Sequence, residues 1–152
     1  MHRMDARPTR RTMLMLGGVG LLAFATVHSG LAEESEKPFD AGNVKDFGQG
    51  IADTFAPNWP HLFVIREGDK LWVATSLCTH KRCDLRRTGA GFSCECHRCK
   101  FRPDGVPIRG PAVKPLPRYG VTIDDRGHVM VDLSKVFEQD RWDEAGAFVK
   151  VS

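Results

Sequence analysis

Two short segments concentrate the reactive side chains of this chain. Cys78-Thr-His80-Lys-Arg-Cys83 and Cys94-Glu-Cys96-His97-Arg-Cys99 hold all five cysteines and two of the six histidines. Thiolate and imidazole are the donors of transition-metal sites, and a fold that gathers both must bring two loops to one point. Each segment has one Cys-plus-His pair at ligand-like spacing, Cys78/His80 and Cys94/His97. Two adjacent loops can therefore supply two thiolates and two imidazoles. One cysteine per segment, 83 and 96, is left over, and Cys99 is a fifth.

The rest of the chain reads as an all-β scaffold for these loops. Its 152 residues suffice for one domain with a core. Nine prolines and fifteen glycines, spread out, favour turns and short strands over a helical bundle. His61 to Arg66 and Lys70 to Ser76 are apolar, β-branched runs around Glu67-Gly68-Asp69, a hairpin signature. Tyr119 to Asp124 and His128 to Leu133 form a second, around Asp125-Arg126-Gly127. Asn43 to Ile51 is an expected opening strand. Residues 77–118 have little periodicity and form a loop-rich module between the hairpins, with turns near 88–91 and 105–110. The expected organisation is a linker at 33–44, a domain at 45–133 and a C-terminal extension at 134–152 that packs over a sheet edge.

Residues 1–32 read as an export signal. Met1 to Arg11 is basic, Met13 to Val27 is apolar, and Gly30-Leu31-Ala32 suits a cut after Ala32. Thr9-Arg10-Arg11-Thr12-Met13-Leu14 approximates a twin-arginine motif. A retained membrane anchor is the alternative, although the apolar stretch is shorter than the roughly 20 residues of a span. Either way the domain belongs in the periplasm or on the outer face of the cytoplasmic membrane, where a disulfide persists. Beyond residue 32 the chain carries 18 basic and 18 acidic side chains, which argues against nucleic-acid binding.

The two boxes resemble those of the Rieske [2Fe–2S] family, C-x-H-x-G-C followed by C-x-C-H-G-S. Gly110-Pro-Ala112 and Pro115-Leu116-Pro117-Arg118-Tyr119 resemble the family's downstream segments. The resemblance covers roughly residues 45–133 and implies a Rieske-type antiparallel β-sandwich with an inserted cluster-binding subdomain at about 77–118. It implies one [2Fe–2S] cluster per chain, with Cys78 and Cys94 on one iron and His80 and His97 on the other. It also implies a loop-linking disulfide between Cys83 and Cys96, as in respiratory-type members. Exchanging two thiolates for neutral imidazoles raises the potential of such clusters to about −150 to +300 mV, against about −400 mV for plant-type clusters.

The departures from the family pattern bear on mechanism. Arg82 stands for the usual glycine of box one, and Arg98-Cys99 for the glycine and serine of box two. Phe101 stands where high-potential members often have tyrosine. A thiol is a weak donor and Phe101 donates nothing, so Cys99 and Phe101 should lower the potential. Lys81, Arg82 and Arg98 surround the histidines and are expected at the exposed tip as docking groups. Residues 81–118 hold ten basic and three acidic side chains, which suits a redox partner with an acidic docking face and suits an apolar quinone pocket poorly.

The function so indicated is an exported one-electron carrier, free or as the small subunit of a larger oxidoreductase such as a molybdenum oxidase or cytochrome complex. No residue looks set up to transform a substrate alone. The Rieske ferredoxin of an oxygenase system and a structural zinc module are the alternatives, although structural zinc motifs usually show C-x-x-C. His61 and His128 sit in strand patterns and read as sheet residues, while Trp59, Trp72 and Phe63 fit a β core. Membrane association would come only through the N-terminal segment.

Overall fold

The computed structural model describes residues 37–55 and 61–151. Residues 1–32, expected to be an export signal and holding His2 and His28, lie outside them, as does Trp59. The centre of the fold is the first hairpin, β3 (Leu62–Glu67) and β4 (Lys70–Thr75), turned at Gly68-Asp69. Its register sets Val64 against Val73 and Ile65 against Trp72. Side chains alternate across a strand, and here both faces are buried. Leu62, Val64, Leu71 and Val73 pack with Tyr119, Val121, Val129 and Val131. Phe63, Ile65, Trp72 and Ala74 pack with Leu85, Phe92, Phe101 and Leu116, and also with Cys78, Cys94 and Cys99. One apolar hairpin thus separates an aliphatic core from a cysteine-containing one.

The second hairpin forms as expected, as β9 (Arg118–Ile123) and β10 (His128–Phe137). β10 runs past Leu133 because its register shifts between Asp132 and Val136, and Val136 and Phe137 then pair with Tyr119 and Arg118. The expected strand over Asn43–Ile51 is not continuous. β1 (Phe39–Asn43) and β2 (Gly50–Thr54) are separated by a 3-10 turn at Val44–Asp46. The Asn43 side chain accepts the Lys45 backbone N–H at 3.1 Å, which turns the chain there. β1 then pairs with β10 and β2 with β3, at opposite edges of one antiparallel sheet ordered β1-β10-β9-β4-β3-β2.

The tail joins the sheet at the part of β4 that β9 leaves free. Its strand β11 (Val149–Lys150) pairs with Leu71 and Lys70 of β4, while Val73 and Ala74 of the same strand pair with β9. On the way the tail places Trp142 against Arg118. The Arg118 guanidinium lies between the rings of Trp72 at 4.2 Å and Trp142 at 4.1 Å, a double cation–π contact. Arg118 is only 7% exposed, and burial pushes its pKa down to about 10, so it remains a cation at neutral pH.

The module between the hairpins holds more regular structure than its sequence suggests. β5 (Arg86–Thr88), β6 (Gly91–Cys94), β7 (Cys99–Phe101) and β8 (Pro107–Arg109) form a four-stranded antiparallel sheet in that order. The turn near 88–91 joins β5 to β6 as expected, whereas part of the Gly-rich stretch at 105–110 is strand β8. Among the described residues no helix is long and apolar enough to cross a membrane.

Candidate metal centre

Two loops of equal length form the site. The first runs from Cys78 to Cys83. It closes on itself through the Cys78 N–H to the Cys83 carbonyl and the Arg82 N–H to the Cys78 carbonyl, both at 2.8 Å. The second joins β6 to β7, where Cys94 and Cys99 are directly paired. Cys83 and Cys96 form a disulfide between the loops, with Cα atoms 6.5 Å apart.

This leaves three free thiols, Cys78, Cys94 and Cys99, all buried. The sulfurs of Cys83, Cys94 and Cys96 lie within 4.8 Å of one another. Two of these are spent in the disulfide, so of the three only Cys94 keeps a thiol to offer a metal. Burial pushes the Cys78 thiol up to about 12; a backbone hydrogen bond from His80 opposes this, and the neighbouring Cys99 and Cys94 thiols add to the rise. Metal binding at Cys78 would release the thiol proton.

The imidazoles lie nearer the surface. His97 is exposed and His80 half-buried. Their rings meet edge to face, with centroids 4.5 Å apart. His80 Nδ1 is buried and has no hydrogen-bond partner. Burial, then the neighbouring His97 and Lys81 charges, hold the His80 pKa below its ordinary value, which favours the neutral, metal-binding form. Two buried thiols, two adjacent imidazoles and an orphaned ring nitrogen fit a mixed Cys/His metal group.

The surrounding residues fall into place from both sides. Lys81, Arg82 and Arg98 are exposed, and Phe101 is buried in the cysteine-containing core. Thr79 Oγ1 donates to the Lys114 carbonyl at 2.6 Å, which ties the proline-rich segment to the first loop. At its other end Gly110 sits on the second loop. A Cβ there would lie 2.7 Å from Cys99 Cα, and its φ of +89° also calls for glycine. His61 packs its ring on Phe63 and His128 bonds Asp40 at 2.7 Å, each away from the site.

One feature of the loops was not read from the sequence. Arg82 and Arg98 both have φ of 55°, and they are the only non-glycine residues at positive φ among those described. The replaced glycines of the family pattern were the available signal. Each replacement changes the charge and also the backbone freedom of its loop.

The Rieske [2Fe-2S] domain model matches residues 37–120. The cytochrome b6-f complex iron-sulfur subunit of Chlorobaculum tepidum is 30% identical over 95 residues, covering 61% of this chain and 52% of that protein. The chloroplastic b6-f iron-sulfur subunit of Bigelowiella natans is 33% identical over 93 residues, covering 59% of this chain and 35% of that protein. The chain thus spans about half or less of the length of these curated relatives. Among solved structures, the plasma membrane Rieske protein of Synechocystis PCC 6803 aligns over 61% of this chain and 97% of its own, with a TM-score of 0.50 and 23% identity. That likeness concerns the fold.

Proposed function

The chain belongs to the Rieske [2Fe-2S] family, and from that premise we propose that it is an exported one-electron carrier, free or as the small subunit of a larger oxidoreductase. Cys78 and Cys94 would hold one iron of the cluster and His80 and His97 the other. When bound, the cluster supplies reversible one-electron redox chemistry. The observation that carries this reading is the pairing of two buried free thiols with two imidazoles, one exposed and one half-buried, across a disulfide-tied pair of loops.

Each group has a task. Cys78 and Cys94 keep the sulfur side out of water, while His80 and His97 give the shortest exit to a partner. Lys81, Arg82 and Arg98 ring the histidines and steer an acidic redox protein onto them. Cys99 and Phe101 set the potential below the family's upper end by offering weak or no donors to the cluster sulfurs. The Cys83–Cys96 disulfide favours a respiratory-type carrier over an oxygenase ferredoxin. The same bond fits residence in the periplasm or on the outer face of the cytoplasmic membrane, reached through the twin-arginine-like segment at 1–32, cleaved or kept as an anchor.

Electron paramagnetic resonance of the dithionite-reduced protein tests this. The expected result is a Rieske signal, with a lower average g than all-cysteine clusters give. A silent, colourless protein with stoichiometric zinc would replace electron transfer by a structural role.

A further inference from the structure

The metal centre uses one face of the four-stranded sheet, and the opposite face has its own pattern. Arg86 is paired across strands with Ser93, Ser93 with Lys100, and Lys100 with Arg109. These four residues make one line across β5 to β8. Side chains alternate along a strand, and Phe92, Cys94, Cys99 and Phe101 are buried inward, so the line faces outward. With strands about 4.8 Å apart, it is roughly 14 Å long.

Three members of the line are cations. Arg86 is paired with Glu95 at 3.2 Å. Lys100 and Arg109 have no carboxylate partner among the described residues. Like charges set directly opposite destabilise an antiparallel pair, and no carboxylate among the described residues pairs with this one. Arg98, also without a carboxylate partner there, joins them around an open hollow of about 340 Å³ that Glu95 borders. On the other side of Lys100 the β7–β8 register shifts, and Ile108 stands 60% exposed beside a second hollow that it shares with Lys100.

We propose that this face, centred on Lys100 and Arg109, docks an acidic segment of a partner polypeptide, the redox partner if the electron-carrier reading on which this part rests holds. A line of cations in strand register matches a series of carboxylates better than one small anion, which needs convergent donors. Ile108 gives an apolar contact within the basic field, as a polypeptide interface requires and a phosphate backbone does not. The same β6–β7 hairpin carries His97 in its turn, so a segment bound here is held beside the metal centre.

The test uses holoprotein whose cluster is verified by visible circular dichroism. A fluorescent poly-L-glutamate peptide is titrated in at low ionic strength and its anisotropy followed. Lys100→Gln/Arg109→Gln is expected to weaken binding about tenfold. Lys45→Gln/Lys150→Gln, which removes the same charge from the other sheet and its flanking turn, is expected to change it less than twofold. The first variant's thermal midpoint should rise, because a like-charge contact is gone. Equal losses in both variants would reduce the effect to net charge and overturn the proposal. So would no loss in either, or a lowered midpoint that ascribes lost binding to lost folding. Lys100- and Arg109-dependent capture by phosphatidylserine vesicles or duplex DNA, with no peptide binding, would overturn it in favour of another occupant. An intact cluster signal with unchanged binding removes this docking face and leaves the carrier reading standing, whereas a missing cluster signal removes the carrier reading.

Discussion

The loops Cys78–Cys83 and Cys94–Cys99 have the same length and share one left-handed residue, and they use their side chains differently. Each spans six residues from cysteine to cysteine, and each has arginine at its fifth position with φ of 55°. In the first loop the sixth residue, Cys83, is spent in the disulfide. In the second the sixth residue, Cys99, is a buried free thiol, and the disulfide comes from the third, Cys96. Histidine is third in one loop and fourth in the other. The disulfide fixes where the loops meet, and the position of each cysteine along its loop decides which sulfur stays free and which ties the frame.

Breaking the tie should have the largest effect. The Cys83→Ser/Cys96→Ser variant loses a cross-link over a sequence separation of 13, worth about 3 kcal/mol on the chain-entropy account. Chemical denaturation should show that loss, and the cluster absorbance should decay faster. Unchanged values would mean that the loops hold their separation through core packing alone.

Exchanging the free sixth residue sharpens the comparison without touching the tie. Cys99→Ser provides a stronger donor, and a new hydrogen bond of about 1 kcal/mol favouring the reduced form corresponds to a midpoint rise of about 40 mV. Phe101→Tyr should act in the same direction if its hydroxyl finds room in the packed core. Redox titration reads both, and a fixed midpoint in each would end the argument from missing donors.

The smallest effect tests the shared backbone. A left-handed non-glycine residue costs about 1–2 kcal/mol, and glycine gives back roughly 0.5–1 kcal/mol in unfolded-state entropy. Arg82→Gly and Arg98→Gly should each therefore stabilise by about 0.5–1 kcal/mol, a rise of about 2 °C in Tm. Equal rises support equivalent loops. A rise at Arg82 alone would show that Gly110, packed on Cys99, already dictates the second loop's path.

Long apolar runs and dense ligand spacing were legible before the structure. Both hairpins and the Cys/His boxes follow from local sequence, because a strand pair joined by a short turn needs no distant information. What could not be read depends on remote partners. β11 is two residues long and becomes a strand only because Leu71 and Lys70 are there to receive it. Trp142 looks like a lone aromatic in a polar tail until Arg118 and Trp72 arrive from elsewhere in the chain. The short strands β5, β7 and β8 have three residues each, too few to show a period. The break after Asn43 was hidden by a side-chain cap within an otherwise extended segment.

The divided pairing of β4 also sets an order of events. Its Val73–Ala74 half finds β9, but its Lys70–Leu71 half stays an open edge until residues 149 and 150 have been synthesised and have returned. Contacts between such distant positions form late and slowly. An unpaired apolar edge is meanwhile available to other chains. Until β4 is closed, a nascent copy of this protein carries this strip open to other chains, and a chaperone that guards it has a defined strip to cover.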